Sequence, residues 1–232
     1  MAEPRRIAVI VAHPDDAEFG CSGSVARWVR DGARVAYVIA TNGDKGSGDR
    51  AMTSDRLARI REEEQRKAAE VLGVETVVFL GHPDGELEDT PALRRDVVRA
   101  LRQLRPERVV TQNPFRTLNP YTSHRDHRTI AGVVMDAVYP MARDHLSFPE
   151  LFAKGLEPWK VREVCLMGHD EPDFWVDITE TLDVKLKALG CHQSQVGEWQ
   201  GVEARVRERA QAVGKAKGYA FAEAFCRVVL PR

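Results

Sequence analysis

Four short runs of nearly pure apolar side chains constrain this chain most. They lie at 7–12 (IAVIVA), 35–40 (VAYVIA), 77–80 (VVFL) and 108–111 (RVVT). Each is short and shows no alternation of polar and apolar residues, the pattern of a strand covered on both faces. Longer amphipathic stretches separate them. One runs from about 21 to 31 and stops at Gly32. A charged one runs from an expected N-cap at Ser54 to Leu72 and ends at Gly73. A third, from 92 to 104, is opened by Pro91 and closed by Pro106. Strand and helix in alternation require crossover connections, and these lead to a parallel sheet with helices on both faces.

The expected fold is therefore α/β, a three-layer α/β/α arrangement on a Rossmann-like, mostly parallel sheet. The last third is less regular, with strands expected at 164–167, 174–178 and 224–230 and helices at 127–138, 179–189 and 202–217. A single domain over 1–232 accommodates all of this, with 139–160 as an insertion or lid.

Charge excludes some functions. With 34 basic and 35 acidic residues the formal net charge is -1, so no overall field favours nucleic acid or an anionic membrane. No apolar run approaches the roughly 20 residues of a membrane span. The apolar run after Arg5 and Arg6 is too short for a secretory core and reads as a buried strand. Cys21, Cys165, Cys191 and Cys226 form no CxxC pair, which points to a reduced, cytoplasmic protein.

The chemistry begins at His13-Pro14-Asp15-Asp16, at the exit of the first strand. Open α/β sheets bind ligands at the carboxyl ends of their strands. Alone, this tetrapeptide reads equally as a turn, with Asp capping the next helix. A second cluster, Ser123-His124-Arg125-Asp126-His127, follows the fourth strand on the same expected edge. His124 and His127, three apart, share one helix face, and Asp126 is placed to orient an imidazole. Three of the seven histidines thus stand at two strand exits. Two imidazoles and a carboxylate, with a position open to water, form a catalytic zinc set. Such a metal lowers the pKa of water to about 7 and polarises a carbonyl. In the doubled Asp, one carboxylate can bind metal while the other serves as base. A phosphoesterase would want a second metal and more ligands, and a structural zinc site a fourth protein ligand. Gly43–Gly48 lacks phosphate-loop spacing and reads as a flexible loop beside the pocket.

These residues, with further segments, resemble the PIG-L/LmbE-like deacetylases. AHPDD is followed by T-N-G-D-K-G after the second strand, and Arg61, Glu64, Ala68 and Ala69 resemble that family's R-x-x-E-x-x-x-A-A helix. LGHPDGEL, SHRDHR, VDIT, HQSQ and AEAFCRV resemble its later elements in order. The resemblance implies that His13, Asp16 and His127 ligate zinc, with ferrous iron also suited. It implies Asp15 as general base and His124 as a protonated oxyanion stabiliser oriented by Asp126. Arg61 would contact substrate and Asp84 would bind sugar hydroxyls. The implied activity is removal of an N-acetyl group from an N-acetylglucosamine derivative or conjugate. A non-sugar amide and a non-catalytic metal-binding role are the alternatives. The partner would be a small N-acetylated molecule, and a homo-oligomer, trimer or hexamer, is compatible with the family. Arg125 stands where the family often has Pro, and the loop 115–123 could shape substrate choice. His192 reads as a packed, hydrogen-bonded histidine at a helix end, His82 as a solvated loop histidine or a substrate contact, and His145 and His169 as residues without a site role. Trp28, Trp159, Trp175 and Trp199 read as core or pocket wall, with Trp159 and Trp199 able to stack on a sugar.

Overall fold

The computed structural model describes residues 5–115, 123–197 and 199–231. In chain order the elements are β1 (Arg6–Val11), α1 (Asp16–Gly20), α2 (Ser22–Arg30), β2 (Arg34–Thr41), α3 (Ser54–Leu72), β3 (Thr76–His82), α4 (Pro91–Leu104), β4 (Arg108–Gln112), α5 (Arg125–Val138), α6 (Pro149–Ala153), β5 (Glu163–Met167), β6 (Phe174–Asp177), α7 (Leu182–Leu189), α8 (Gln193–Val196), α9 (Trp199–Lys215) and β7 (Ala222–Val229). The strands form one seven-stranded sheet in the order β3-β2-β1-β4-β5-β7-β6. β1 pairs in parallel with β2 and β4, β2 with β3, and β4 with β5. Only β7 runs antiparallel, between β5 and β6. The expected three-layer, mostly parallel fold is what the chain adopts.

The apolar runs are buried on both faces because successive side chains alternate sides. Ile7, Val9 and Val11 pack with Val25, Trp28, Ala68, Leu72 and Leu186 of α2, α3 and α7. Ala8, Ile10 and Ala12 pack on the other side with Val97, Leu101, Ile130 and Val134 of α4 and α5. The strand order reverses between β1 and β4, which opens a crevice at their carboxyl ends.

Helix ends follow local chemistry. The N-cap of α3 is Thr53 rather than Ser54, since the Thr53 hydroxyl accepts the Arg56 N–H at 3.3 Å. Gly73 closes that helix in the left-handed region, at φ 73°. The α7 helix starts at Leu182, later than expected, because Asp177 Oδ1 accepts both the N–H and the hydroxyl of Thr179 (2.9 and 2.6 Å) and holds a turn there.

The segment 139–160 follows α5 and is tied to α4, where the buried Arg102 donates to the carbonyls of Met141, Asp144 and Ser147 at 3.2, 2.7 and 3.0 Å. Trp159 donates through Nε1 to the Pro106 carbonyl at 2.7 Å, and the Arg6 guanidinium lies over its ring at 5.1 Å. Trp199 packs between α7, α8 and α9, and Trp28 lies in the core. Among the described residues no helix is long and apolar enough to cross a membrane.

One buried ion pair ties the late strand β7 to the early helix α2. The Glu223 carboxylate accepts the N–H groups of Gly23 and Ser24 at 3.1 and 2.7 Å, at the positive end of α2, and the Lys185 ammonium at 2.6 Å. Glu223→Ala would strand Lys185 and two helix N–H groups in the interior, so urea unfolding is expected to report a loss of about 3–5 kcal/mol. A variant within ~0.5 kcal/mol of wild type would show that water replaces the carboxylate.

Candidate active site

The strand β1 is apolar from Ile7 to Val11, and the chain then turns sharply. The His13 N–H donates to Asp16 Oδ2 at 2.7 Å, closing the turn. Asp15 takes the left-handed conformation, φ 91° and ψ -22°, and serves as N-cap of α1. Gln112, the last residue of β4, stitches this turn to its neighbour. Its side-chain oxygen accepts the Ala12 N–H at 3.2 Å and its amide donates to Asp16 Oδ2 at 2.7 Å. Across the crevice His124 caps α5, its Nδ1 accepting the Asp126 N–H at 3.2 Å. That cap moves the helix start to Arg125, two residues before the expected one.

These turns bring the sequence candidates together. His13 Nδ1 lies 3.3 Å from His127 Nε2 and 3.4 Å from Asp16 Oδ2, and Asp16 Oδ1 lies 3.1 Å from His127 Nε2. Four tetrahedral ligands at zinc-like bond lengths sit about 3.3 Å from one another, so these separations fit one small cation. Asp16 Oδ2 already accepts two N–H groups, which leaves Oδ1 as the donor atom. The three imidazoles of His13, His124 and His127 also converge within 4.8 Å.

Behind His13 stands a second group of acids. His13 Nε2 is 3.2 Å from Asp126 Oδ2 and 3.0 Å from Asp84 Oδ1. The Asp126 carboxylate, fully buried, also accepts the Gly85 N–H at 2.7 Å. This corrects two sequence expectations. The Asp126 side chain orients His13, and only its backbone N–H reaches His124. Asp84 is turned inward to His13 and to Arg61 (3.5 Å), not outward to sugar hydroxyls. Arg61 is likewise buried. It donates to the carbonyls of Pro14, Gly43 and Lys45 at 2.8, 3.3 and 3.2 Å and lies 3.4 Å from Asp15 Oδ2, so it clamps loops together instead of facing a ligand.

The loop after β2 is correspondingly less free than its glycines suggest. Asp44 Oδ1 accepts the Asp84 N–H at 2.9 Å, and Lys45 reaches the Asp84 carbonyl. Gly43 has φ 64°, and a Cβ there would stand 2.8 Å from the Arg61 guanidinium, so only glycine admits the clamp.

Electrostatics follow from this crowding of acids. Burial disfavours a charged His13, yet its hydrogen bonds to Asp126, Asp16 and Asp84 outweigh that and push its pKa up to about 12. Burial also opposes charge on His127 and Asp16, but each holds the other ionised, raising His127 and lowering Asp16. Without another cation, the histidine ring must carry the charge the carboxylates demand. A divalent ion at the same donor atoms would satisfy it, and the residues present fit such an ion. Asp15 behaves differently. Burial raises its carboxyl to about 7, against the pull of Arg61 and reinforced by Asp16. His124 is lowered by burial and by the positive His13 and His127. Its Nδ1 accepts an N–H, so the neutral ring carries its proton on Nε2, which corrects the expectation of a protonated His124.

Gln112, Gln65 and Glu18 were not singled out in the sequence. Gln112 alone left a signal, a polar residue ending a fully buried strand. His192 is fully buried at the start of α8, with Nε2 3.1 Å from Glu18 Oε2, as its reading required. Arg125 is exposed and pairs with Glu88 at 3.2 Å, clear of the donor atoms. His82 pairs with Asp96 at 3.4 Å, and His145 and His169 rest against Phe152 and Phe115. Most of the loop expected to shape substrate choice, 116–122, lies outside the described residues.

Comparison with known proteins agrees with this geometry. The chain is 32% identical over 221 residues to a diacetylchitobiose deacetylase of Thermococcus kodakarensis, covering 94% of this chain and 81% of that one. It is 29% identical over 196 residues to a probable N-acetyl-alpha-D-glucosaminyl L-malate deacetylase 2 of Bacillus cereus, covering 82% and 84%. The solved N,N'-diacetylchitobiose deacetylase of Pyrococcus horikoshii superposes with a TM-score of 0.91 at 29% identity, over 98% of this chain and 85% of that one. Residues 8–138, which carry every site residue named from the sequence, match the family model PIG-L: GlcNAc-PI de-N-acetylase. The chain belongs to the PIG-L GlcNAc-PI de-N-acetylase family.

Proposed function

We propose that this protein is a metal-dependent hydrolase that removes the N-acetyl group from an N-acetylglucosamine derivative or conjugate. The observation that carries the reading is the convergence of His13 Nδ1, Asp16 and His127 Nε2 within 3.1–3.4 Å, with Asp15 in the same turn. The deacetylase names of the relatives support the substrate class. Zinc is the proposed ion, and ferrous iron suits the same nitrogen and oxygen donors. Held by His13, Asp16 and His127, the ion would supply Lewis-acid polarisation of the acyl oxygen and a lowered pKa for water.

The protein's own residues supply the remaining steps. Asp15, ionised, takes a proton from water as its oxygen attacks the acyl carbon. The neutral His124 donates its Nε2 proton in a hydrogen bond to the acyl oxygen as that atom becomes negative. Asp15, now protonated, returns the proton to the departing nitrogen, and amine and acetate result. Burial raises the Asp15 carboxyl above the usual carboxylate range, which favours its holding and returning the proton.

The test is amine release from a panel of N-acetylated amino sugars, their conjugates and simple acetamides. It uses protein stripped with chelator and then restored with zinc or ferrous iron. Metal-dependent release from the sugars is expected. Release from simple acetamides alone would move the substrate outside sugars, and one bound equivalent of metal with no release would favour a binding role.

Asp126 sets the firmness of the metal ligand His13. Asp126→Asn is expected to weaken zinc binding by about 10–100-fold in competition with a chromophoric chelator, since carboxylates behind metal-bound histidines contribute on that scale. Unchanged affinity would mean that Asp84 suffices.

A further inference from the structure

The base Asp15 stands in a backbone conformation that a residue with a Cβ rarely adopts, φ 91°. Something must hold it there. Its N–H donates to Gln65 Oε1 at 3.0 Å, from the middle of α3. The Gln65 amide is itself fixed, because Nε2 donates to both carboxylate oxygens of Glu18 at 3.1 Å each. Glu18 Oε2 lies 3.1 Å from His192 Nε2, which ends the chain. Gln65, Glu18 and His192 are each fully buried. A carboxylate that holds the amide nitrogen fixes which way the amide is turned, so the amide oxygen is the atom presented to Asp15.

We propose that Gln65, oriented by Glu18, is the positioning residue that holds the base Asp15 at its reacting angle. The inference rests on Asp15 being the base. A second tie joins the same elements without touching Asp15. The Glu64 carboxylate accepts the N–H and hydroxyl of Ser194 at 2.8 and 2.6 Å, docking α8 on α3. Glu64 and Ser194 thus serve to join α3 and α8, whereas Gln65 accepts the backbone N–H of the base.

The test compares three variants loaded with zinc on the best substrate of the panel. Gln65→Met keeps side-chain length and removes both hydrogen bonds. Its kcat is expected to fall between about tenfold and a hundredfold, with KM within about twofold and bound zinc at the wild-type level. Protection of the Asp15 amide from hydrogen exchange is expected to fall in the same variant. Ser194→Ala, which weakens only the docking tie, is expected to keep kcat. Glu18→Gln, with one acceptor oxygen in place of two, is expected to fall between wild type and Gln65→Met, and it carries the test if Gln65→Met fails to fold. Wild-type kcat in a folded, zinc-loaded Gln65→Met, or in Glu18→Gln where that must stand in, overturns the proposal. Equal losses in Ser194→Ala and Gln65→Met reduce the chain to a structural anchor. If Asp15→Asn itself turns over normally, the assignment of the base fails first, and that outcome is distinct from the others.

Discussion

Asp15→Asn is expected to lose about 10²–10⁴-fold in kcat while still binding one divalent ion. The asparagine keeps the shape of the turn and cannot take a proton. Asp15 is not one of the three converging donors, so metal content measured by mass spectrometry should match wild type. The pH profile separates this loss from a structural one. A base must be ionised to act, so the wild-type rate rises with pH along its acid limb as Asp15 loses its proton. Burial pushes that carboxyl up to about 7, partly offset by Arg61, and a cation alongside favours the anion and draws the limb below that value. The variant should lack the limb. Stability of the metal-free protein gives a reading independent of turnover. A carboxyl raised in the folded state binds protons more tightly folded than unfolded, so its contribution to stability is present below the unfolded pKa of about 4 and lost as pH rises through about 7. Asn carries no such loss. In chelator the variant should be more stable than wild type above pH 7, the two converging near pH 4. Wild-type turnover in Asp15→Asn would remove the residue from the mechanism.

The sheet was legible because the signal is local. Residues 7–12 and 35–40 are apolar on both sides of the strand, and that alone requires helices on both faces. The site was legible for a related reason. His13 follows directly on β1, and His124 closes the loop that leads from β4 into α5, where a parallel sheet gathers its ligands. Pairings over long separations were not legible. Asp126 chooses His13 over the adjacent His124 because the Gly85 N–H and the crevice wall aim its carboxylate inward, a fact about β3 and β4 together. Glu223 finds α2 only because β7 enters antiparallel between β5 and β6, and strand direction leaves no mark in hydrophobic periodicity. The anchoring of 139–160 to α4 through Arg102 was not legible for the same reason. Gln65 sits within the charged run RIREEEQR and looks like a solvated helix position. It is buried because α1 and α8 close over that turn of α3.

His124→Ala is expected to cost about 10²–10³-fold in kcat with bound metal retained and KM little changed, the cost of removing one donor to a developing oxyanion. The ring lies close to the proposed ligands, its centroid 5.1 Å from His13 and 5.2 Å from His127. Two chemical pictures predict opposite pH behaviour. If an imidazolium were required, burial would oppose it, and so would the positive charge of an ion held by His13 and His127. The enzyme would then idle where its base works best. The hydrogen bond from the Asp126 N–H resolves this, since it occupies Nδ1 and leaves the neutral ring with a proton on Nε2 facing the crevice. A neutral donor needs no protonation, so the alkaline side of the profile should be unaffected by His124. His124→Gln tests this directly, because its amide donates a hydrogen bond and never titrates. Partial recovery over His124→Ala, with an unchanged alkaline limb, supports the neutral donor. A glutamine variant as inactive as the alanine one, together with loss of an alkaline limb that wild type shows, would return the role to the imidazolium.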